Sequence, residues 1–278
     1  MKKQCWIVVL GFLISSCQEE VTLPLNELDE LVPVIEATWS DISAYNEVQI
    51  SLAENYMDST SYTIVTDAEV VIINQTNRDM LPFRFDPNSF TYKPVLPFEV
   101  AKVGSTYLLR VKWNGHVYES QGVMLAPPII DSVTYKFQEE RLFRDEGYYI
   151  KVYGEIPFVE NNFYRIKIIE NDTIKNDRDD FLLFDDTFGL EFFEDGLELG
   201  YPFDAGDVVR MELYRMNEGA FIYLNQLVNL LYSDGGLFSP PPQNPESNIR
   251  VVSDDSQVMG YFNVSPILTE TVVIDETK

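Results

Sequence analysis

Tyr107-Leu108-Leu109-Arg110-Val111-Lys112-Trp113, then Asn114-Gly115, then His116-Val117-Tyr118-Glu119-Ser120 is the stretch on which the fold turns. Strand side chains alternate between faces, so Tyr107, Leu109, Val111 and Trp113 fall on one side of an extended segment. Asn114-Gly115 supplies the positive φ angles of a tight two-residue turn, and residues 116–120 run back as the second arm of a hairpin. Upstream, residues 34–39, 47–52 and 67–74 also read as strands, the last with Ala68, Val70 and Ile72 in alternation. Short strands separated by turns, over roughly one domain length, predict an immunoglobulin-like β-sandwich at residues 31–126.

Downstream, Pro127-Pro128 cannot donate to a strand ladder and marks a boundary. Residues 132–137, 148–155, 163–170 and 208–214 again read as strands, so residues 127–278 form a second β-rich domain. Within 217–233, Phe221, Leu224, Val228 and Leu231 recur at steps of three or four, which predicts one amphipathic helix capped by Asn217. A Pro-rich loop follows at 235–248, carrying Gly235, Gly236, Phe238, Pro240, Pro241, Pro242, Asn244 and Pro245. Strands near 258–264 and 270–274 are expected to close the second sheet. The fold class is therefore mainly β, two β-sandwich domains with one helix in the second. Long Gly/Pro loops are disproportionately functional when ordered, so these loop residues, with the helix before them, are the expected partner-binding surface.

The N-terminal end reads as an address. Met1, Lys2 and Lys3 precede an apolar run at residues 6–14, too short for the ~20 residues that span a bilayer, so residues 1–16 are expected to be a signal peptide. Ile14-Ser15-Ser16-Cys17 resembles the lipobox of bacterial lipoproteins, in which the cysteine sulfur carries a diacylglycerol. Gln18, Glu19 and Glu20 resemble the surface-export signal of Bacteroidota lipoproteins. Residues 17–30, with Pro24, are a polar tether that holds the folded part clear of the headgroups.

Composition excludes several functions. The net charge is −25, and loss of Lys2 and Lys3 with the leader makes it −27, a field that repels nucleic acid. The two cysteines are Cys5, inside the leader, and Cys17, so the body has neither disulfide nor thiol nucleophile. His116 is the one histidine. It has no G-x-S-x-G partner and cannot build a zinc site, and it reads as a surface strand residue. Asp177, Asp179, Asp180, Asp185, Asp186, Glu191, Glu194 and Asp195 are dense, but they lack calcium-loop spacing and read as solvated surface. Tyr149 and Tyr153 alternate with Tyr148, Ile150 and Val152, so this aromatic group reads as core more than as a sugar platform. We expect no catalytic residues, no cofactor, no metal and no enzymatic activity.

Taken in order, Pro127-Pro128-Ile129-Ile130-Asp131-Ser132, Gly147-Tyr148-Tyr149, Asn162-Phe163-Tyr164-Arg165, the 235–248 loop and Gly260-Tyr261-Phe262 resemble the DUF4249 family of Bacteroidota lipoproteins across the mature chain. Phe163 stands where that family often has tyrosine, and Ile166 where it often has tryptophan. The resemblance implies a non-enzymatic outer-membrane lipoprotein facing the cell exterior, an accessory subunit beside a TonB-dependent transporter. A surface subunit of the barrel-assembly machinery and a free-standing ligand binder are the alternatives.

Overall fold

Asn114 and Gly115 take φ of 50° and 83°, and the arms they join pair with Trp113 opposite His116. The computed structural model describes residues 31–54, 63–185, 191–232 and 243–275. Cys17, Gln18, Glu19, Glu20, Gly235, Gly236, Phe238, Pro240, Pro241 and Pro242 lie outside the described residues.

The first body is built from β1 (Pro33–Ser40), β2 (Glu47–Leu52), β3 (Glu69–Asn74), β4 (Met80–Asp86), β5 (Thr91–Pro94), β6 (Thr106–Trp113) and β7 (His116–Val123). The second begins with β8 (Ile129–Gln138), β9 (Gly147–Glu155), β10 (Phe163–Glu170), β11 (Thr173–Ile174), β12 (Leu182–Asp185), β13 (Leu197–Glu198) and β14 (Val208–Arg215). After the helix Glu218–Leu231 come β15 (Arg250–Val251), β16 (Met259–Ser265) and β17 (Ile267–Val273). The helix and most strands fall where the sequence places them. Asn217 stands at the helix cap without a capping side-chain bond. Its amide instead donates to Val123 O at 2.8 Å and accepts from Val264 N at 3.2 Å, tying β7 to β16.

That tie reflects a difference from the expected closure. β16 does not close the second sheet but pairs in parallel with β1, from Val34↔Met259 to Ser40↔Ser265, at the end of a nine-stranded sheet ordered β15-β7-β6-β3-β4-β5-β2-β1-β16. The physical reason is apolar burial. Phe262 and Val264, both 0% exposed, complete the first core with Trp39, Tyr107, Leu109 and Val111. Trp39 meets Phe83 and Tyr107 edge-on, at centroid separations of 5.9 and 6.0 Å. The sheet curls until β7 abuts β16, so a Cβ on Gly122 would stand 2.6 Å from Val264. The chain thus crosses the Pro127-Pro128 junction and returns.

In the second body a three-stranded sheet, β13-β9-β8, faces β11-β10-β14-β17, with β12 also on β10. Tyr148, Ile150 and Val152 pack between them with Tyr164, Ile166, Ile168, Met211 and Leu213. A third apolar cluster joins the bodies: Tyr214, Met216, Phe221, Tyr223, Leu224 and Ile267, with Tyr45 and Tyr261 packed against it. The amphipathic helix is consumed in this joint.

Candidate functional site

β14 puts Val209, Met211 and Leu213 into the second core, and by alternation Arg210, Glu212 and Tyr214 onto the opposite face. β10 does likewise with Arg165 and Lys167. This polar face meets the outer face of β1 and β2. Glu212, 3% exposed, accepts from Tyr214 Oη at 2.8 Å and from Tyr45 Oη in the turn after β1. Arg210 Nε lies 3.3 Å from Glu212 Oε1. Lys167 Nζ sits 4.9 Å over the Tyr214 ring.

Burial and then the Arg165 charge push the Lys167 ammonium down to about 8, against the pull of Glu212, Glu47 and Glu36. Burial raises Glu36, with Arg165 and Lys167 opposing. Tyr45 is pushed up to about 12 by burial and by its bond to Glu212, and Tyr223 up to about 12 by burial and by Glu36. The joint is a charged seam whose cations come from the second body and whose acids come from both.

This seam gives a pH signature. From pH 8 toward the ordinary lysine value of 10.5, the unfolded chain holds a proton at Lys167 that the folded chain has released. Unfolding therefore takes up a proton, and stability rises with pH across that window. Above the ordinary tyrosine value of 10.0, Tyr45 and Tyr223 retain protons the unfolded chain has lost, and stability falls. Thermal melts should peak near about pH 9.5, and Lys167→Met should abolish the rise, worth about 2 kcal/mol after discount for partial exposure.

The second feature lies at the other end of the first body. A cavity of about 390 Å³ is lined by Leu31, Val32, Asn114, His116, Tyr118, Ser256 and Gln257. His116 Nδ1 lies 2.6 Å from Asp254 Oδ2 and 3.2 Å from Ser256 Oγ. Ser256, through its hydroxyl and its backbone N–H, and then His116 hold the Asp254 carboxyl well below the usual range. A hydrolytic relay sets the serine and the acid on opposite ring nitrogens. Here both converge on Nδ1, an arrangement that pins the 252–257 loop to the hairpin. Asp254 and Ser256 escaped the sequence reading because more than a hundred positions separate them from His116.

Of the expected partner-binding loop, Asn244 and Pro245 are described, the first exposed and the second half-buried. The segment then locks into the first body. Asn248 donates to Phe262 O at 2.9 Å and accepts from Phe262 N at 2.8 Å, as a strand neighbour would, while Ser120 Oγ donates to Asn248 O at 2.8 Å. In the acidic segment, Asp180 accepts from Asp177 N at 2.9 Å and Asp179 from Tyr232 Oη at 2.7 Å. Among the described residues no group of three or more His, Cys, Asp or Glu could hold a metal ion. No described helix is long and apolar enough to cross a membrane.

The sequence over residues 18–271 matches the family described as Domain of unknown function (DUF4249). No curated protein matches the chain.

Proposed function

The chain belongs to the DUF4249 family, and from that premise we propose that it is a non-enzymatic surface lipoprotein of an outer membrane. Held by lipid on Cys17, it serves as the accessory subunit, ligand capture or lid, of a TonB-dependent transporter. The observation that supports this reading is where the body begins. Leu31 and Val32 lie beside the Asn114 hairpin turn, while β1 runs from there to Ser40 and Asp41, whose carboxylate accepts from Ile267 N at 3.0 Å in the joint. A tether entering at residue 30 thus attaches at the end of the first body remote from the joint. It leaves the second body as the free end. Thirteen extended residues reach at most about 45 Å, so the first body stays near the bilayer.

Two measurements test the reading. Cys17→Ser should move the chain from the membrane to the soluble fraction, because each buried methylene of the lipid contributes about 0.8 kcal/mol. A gentle detergent pull-down of the tagged, lipidated chain from its own outer membrane should bring a stoichiometric TonB-dependent transporter. Barrel-assembly components in its place would transfer the proposal to that machinery. Recovery of the chain alone, under conditions that keep known complexes intact, would overturn it.

A further inference from the structure

β8 and β9 leave the joint side by side, Ile129 opposite Glu155, and end at the far tip of the second body. Arg141 and Arg144 close that tip with reciprocal backbone bonds, Arg141 N to Arg144 O at 2.9 Å and Arg144 N to Arg141 O at 3.0 Å. The turn between them is Leu142-Phe143, and Phe143 takes φ of 65°. That region suits glycine and is tolerated by asparagine and aspartate, whose short polar side chains bond locally. Of seven non-glycine residues with positive φ among the described residues, four are Asn or Asp, including Asn114 in the equivalent hairpin of the first body. Phe143 receives no packing in exchange, being 97% exposed, and Leu142 beside it is 85% exposed. Phe143 thus stands at a position that folding alone would give to glycine, with a second large apolar side chain, Leu142, exposed beside it.

The stem beneath them is stiff. The Arg144 guanidinium stacks 3.8 Å from the Tyr149 ring centroid and is paired with Glu198. Tyr149 Oη donates to Asp145 O at 2.9 Å. The tip is thus displayed by a braced support, which lowers the ordering cost of docking.

Charge selects what it docks into. Glu139, Glu140, Asp145 and Glu146 ring the tip, and within residues 139–146 Arg141 is the cation that remains to offset them once Arg144 is engaged by Glu198. Phosphate-bearing lipid headgroups and a second copy of this chain, itself at −25, both present like charge to such a collar. We propose that Leu142 and Phe143 form an anchor that docks into an apolar, Lys/Arg-rimmed socket on a partner protein. This rests on the reading of the chain as a partner subunit and assigns the contact to the second body's tip. Aromatic anchors seated in desolvated pockets carry a large share of binding energy, and a charged rim steers the encounter.

The test uses the full lipidated chain in its own outer membrane, with Phe143 replaced by the photo-crosslinker p-benzoylphenylalanine, and mass spectrometry of the adducts after irradiation. Adducts should concentrate on one protein, at a site bordered by lysine or arginine. The double variant Leu142→Ser, Phe143→Ser should recover at least tenfold less of that protein at an unchanged melting temperature. Phe143→Gly should lose recovery too, while melting no lower than the parent. Lipid adducts, adducts on another copy of this chain, no adducts, or undiminished recovery by the double variant would overturn the anchor. If the crosslinked protein is not an outer-membrane barrel, the transporter reading fails and the anchor stands. If a barrel is recovered equally with and without the two side chains, the anchor fails and the transporter reading stands.

Discussion

Arg215→Leu should lower the unfolding free energy by about 3 kcal/mol and shift the melting midpoint down by roughly 10 °C. Arg215 is 4% exposed, and its guanidinium is spent on carbonyls: Nη1 donates to Ala126 O at 2.9 Å, Nη2 to Glu160 O at 3.0 Å and Nε to Asn161 O at 3.1 Å. Its Cζ lies 3.5 Å from the centroid of the Phe158 ring. Burial holds its pKa below the ordinary arginine value. Hydrogen bonds from a charged donor contribute about 1.5–3 kcal/mol each, and removal of the charge also removes its desolvation cost. Glu160 and Asn161 are exposed, so their freed carbonyls can turn to water. Ala126 is half-buried in the connection between the bodies, so the loss concentrates there. Arg215→Lys should recover little, because a point ammonium cannot span three carbonyls. Hydrogen exchange should show residues 124–130 opening first, and unfolding of the two bodies should separate into two steps.

Local chemistry decided what could be read from the sequence. Period-two alternation placed the β6–β7 hairpin, because β6 buries Tyr107, Leu109 and Val111 and turns Leu108, Arg110 and Lys112 the other way. β4 and β5 escaped because Pro82 and Pro94 interrupt them, and proline argues against strand wherever the sheet does not leave its nitrogen side free. The helix was legible from one apolar stripe, yet Asn217, which looks like its cap, bridges two strands instead. Local sequence cannot show that a better acceptor and donor stand across the sheet. The joint was invisible for a related reason. Tyr45, Glu212 and Tyr214 are unremarkable in their own segments, and they meet only because the sheet curls and β16 returns to β1.

The joint also connects the proposed function to the fold. The proposed tether at one end and the proposed anchor at the other can act on each other only through a stiff middle. The Glu212 network, Arg215 and the helix supply that stiffness. Loosening the joint at Arg215 should therefore weaken partner recovery without any change at the tip, whereas Leu142→Ser should weaken recovery without any change in the seam's pH signature.

The second large effect is expected at Gly260. Gly260→Ala should cost about 4 kcal/mol and lower the melting midpoint by roughly 10–15 °C. Gly260 has φ of 103°, and a Cβ there would stand 2.0 Å from Ile35 O and 2.6 Å from Ile35 C, atoms of β1 that cannot swing aside. The close approach serves the two residues that follow. Phe262, 0% exposed, enters the first core, while Tyr261 points the opposite way, into the joint, 5.5 Å from the Tyr223 ring. One strand thereby fills the first body and seals it to the second, with Gly260 setting its depth. Pushing β16 outward by the width of a methyl should withdraw both rings together. The mutant's loss should exceed that of Tyr261→Ala, which disturbs the joint alone. If Gly260→Ala melts within 3 °C of the parent, the parallel pairing of β16 with β1 is not what holds the two bodies together.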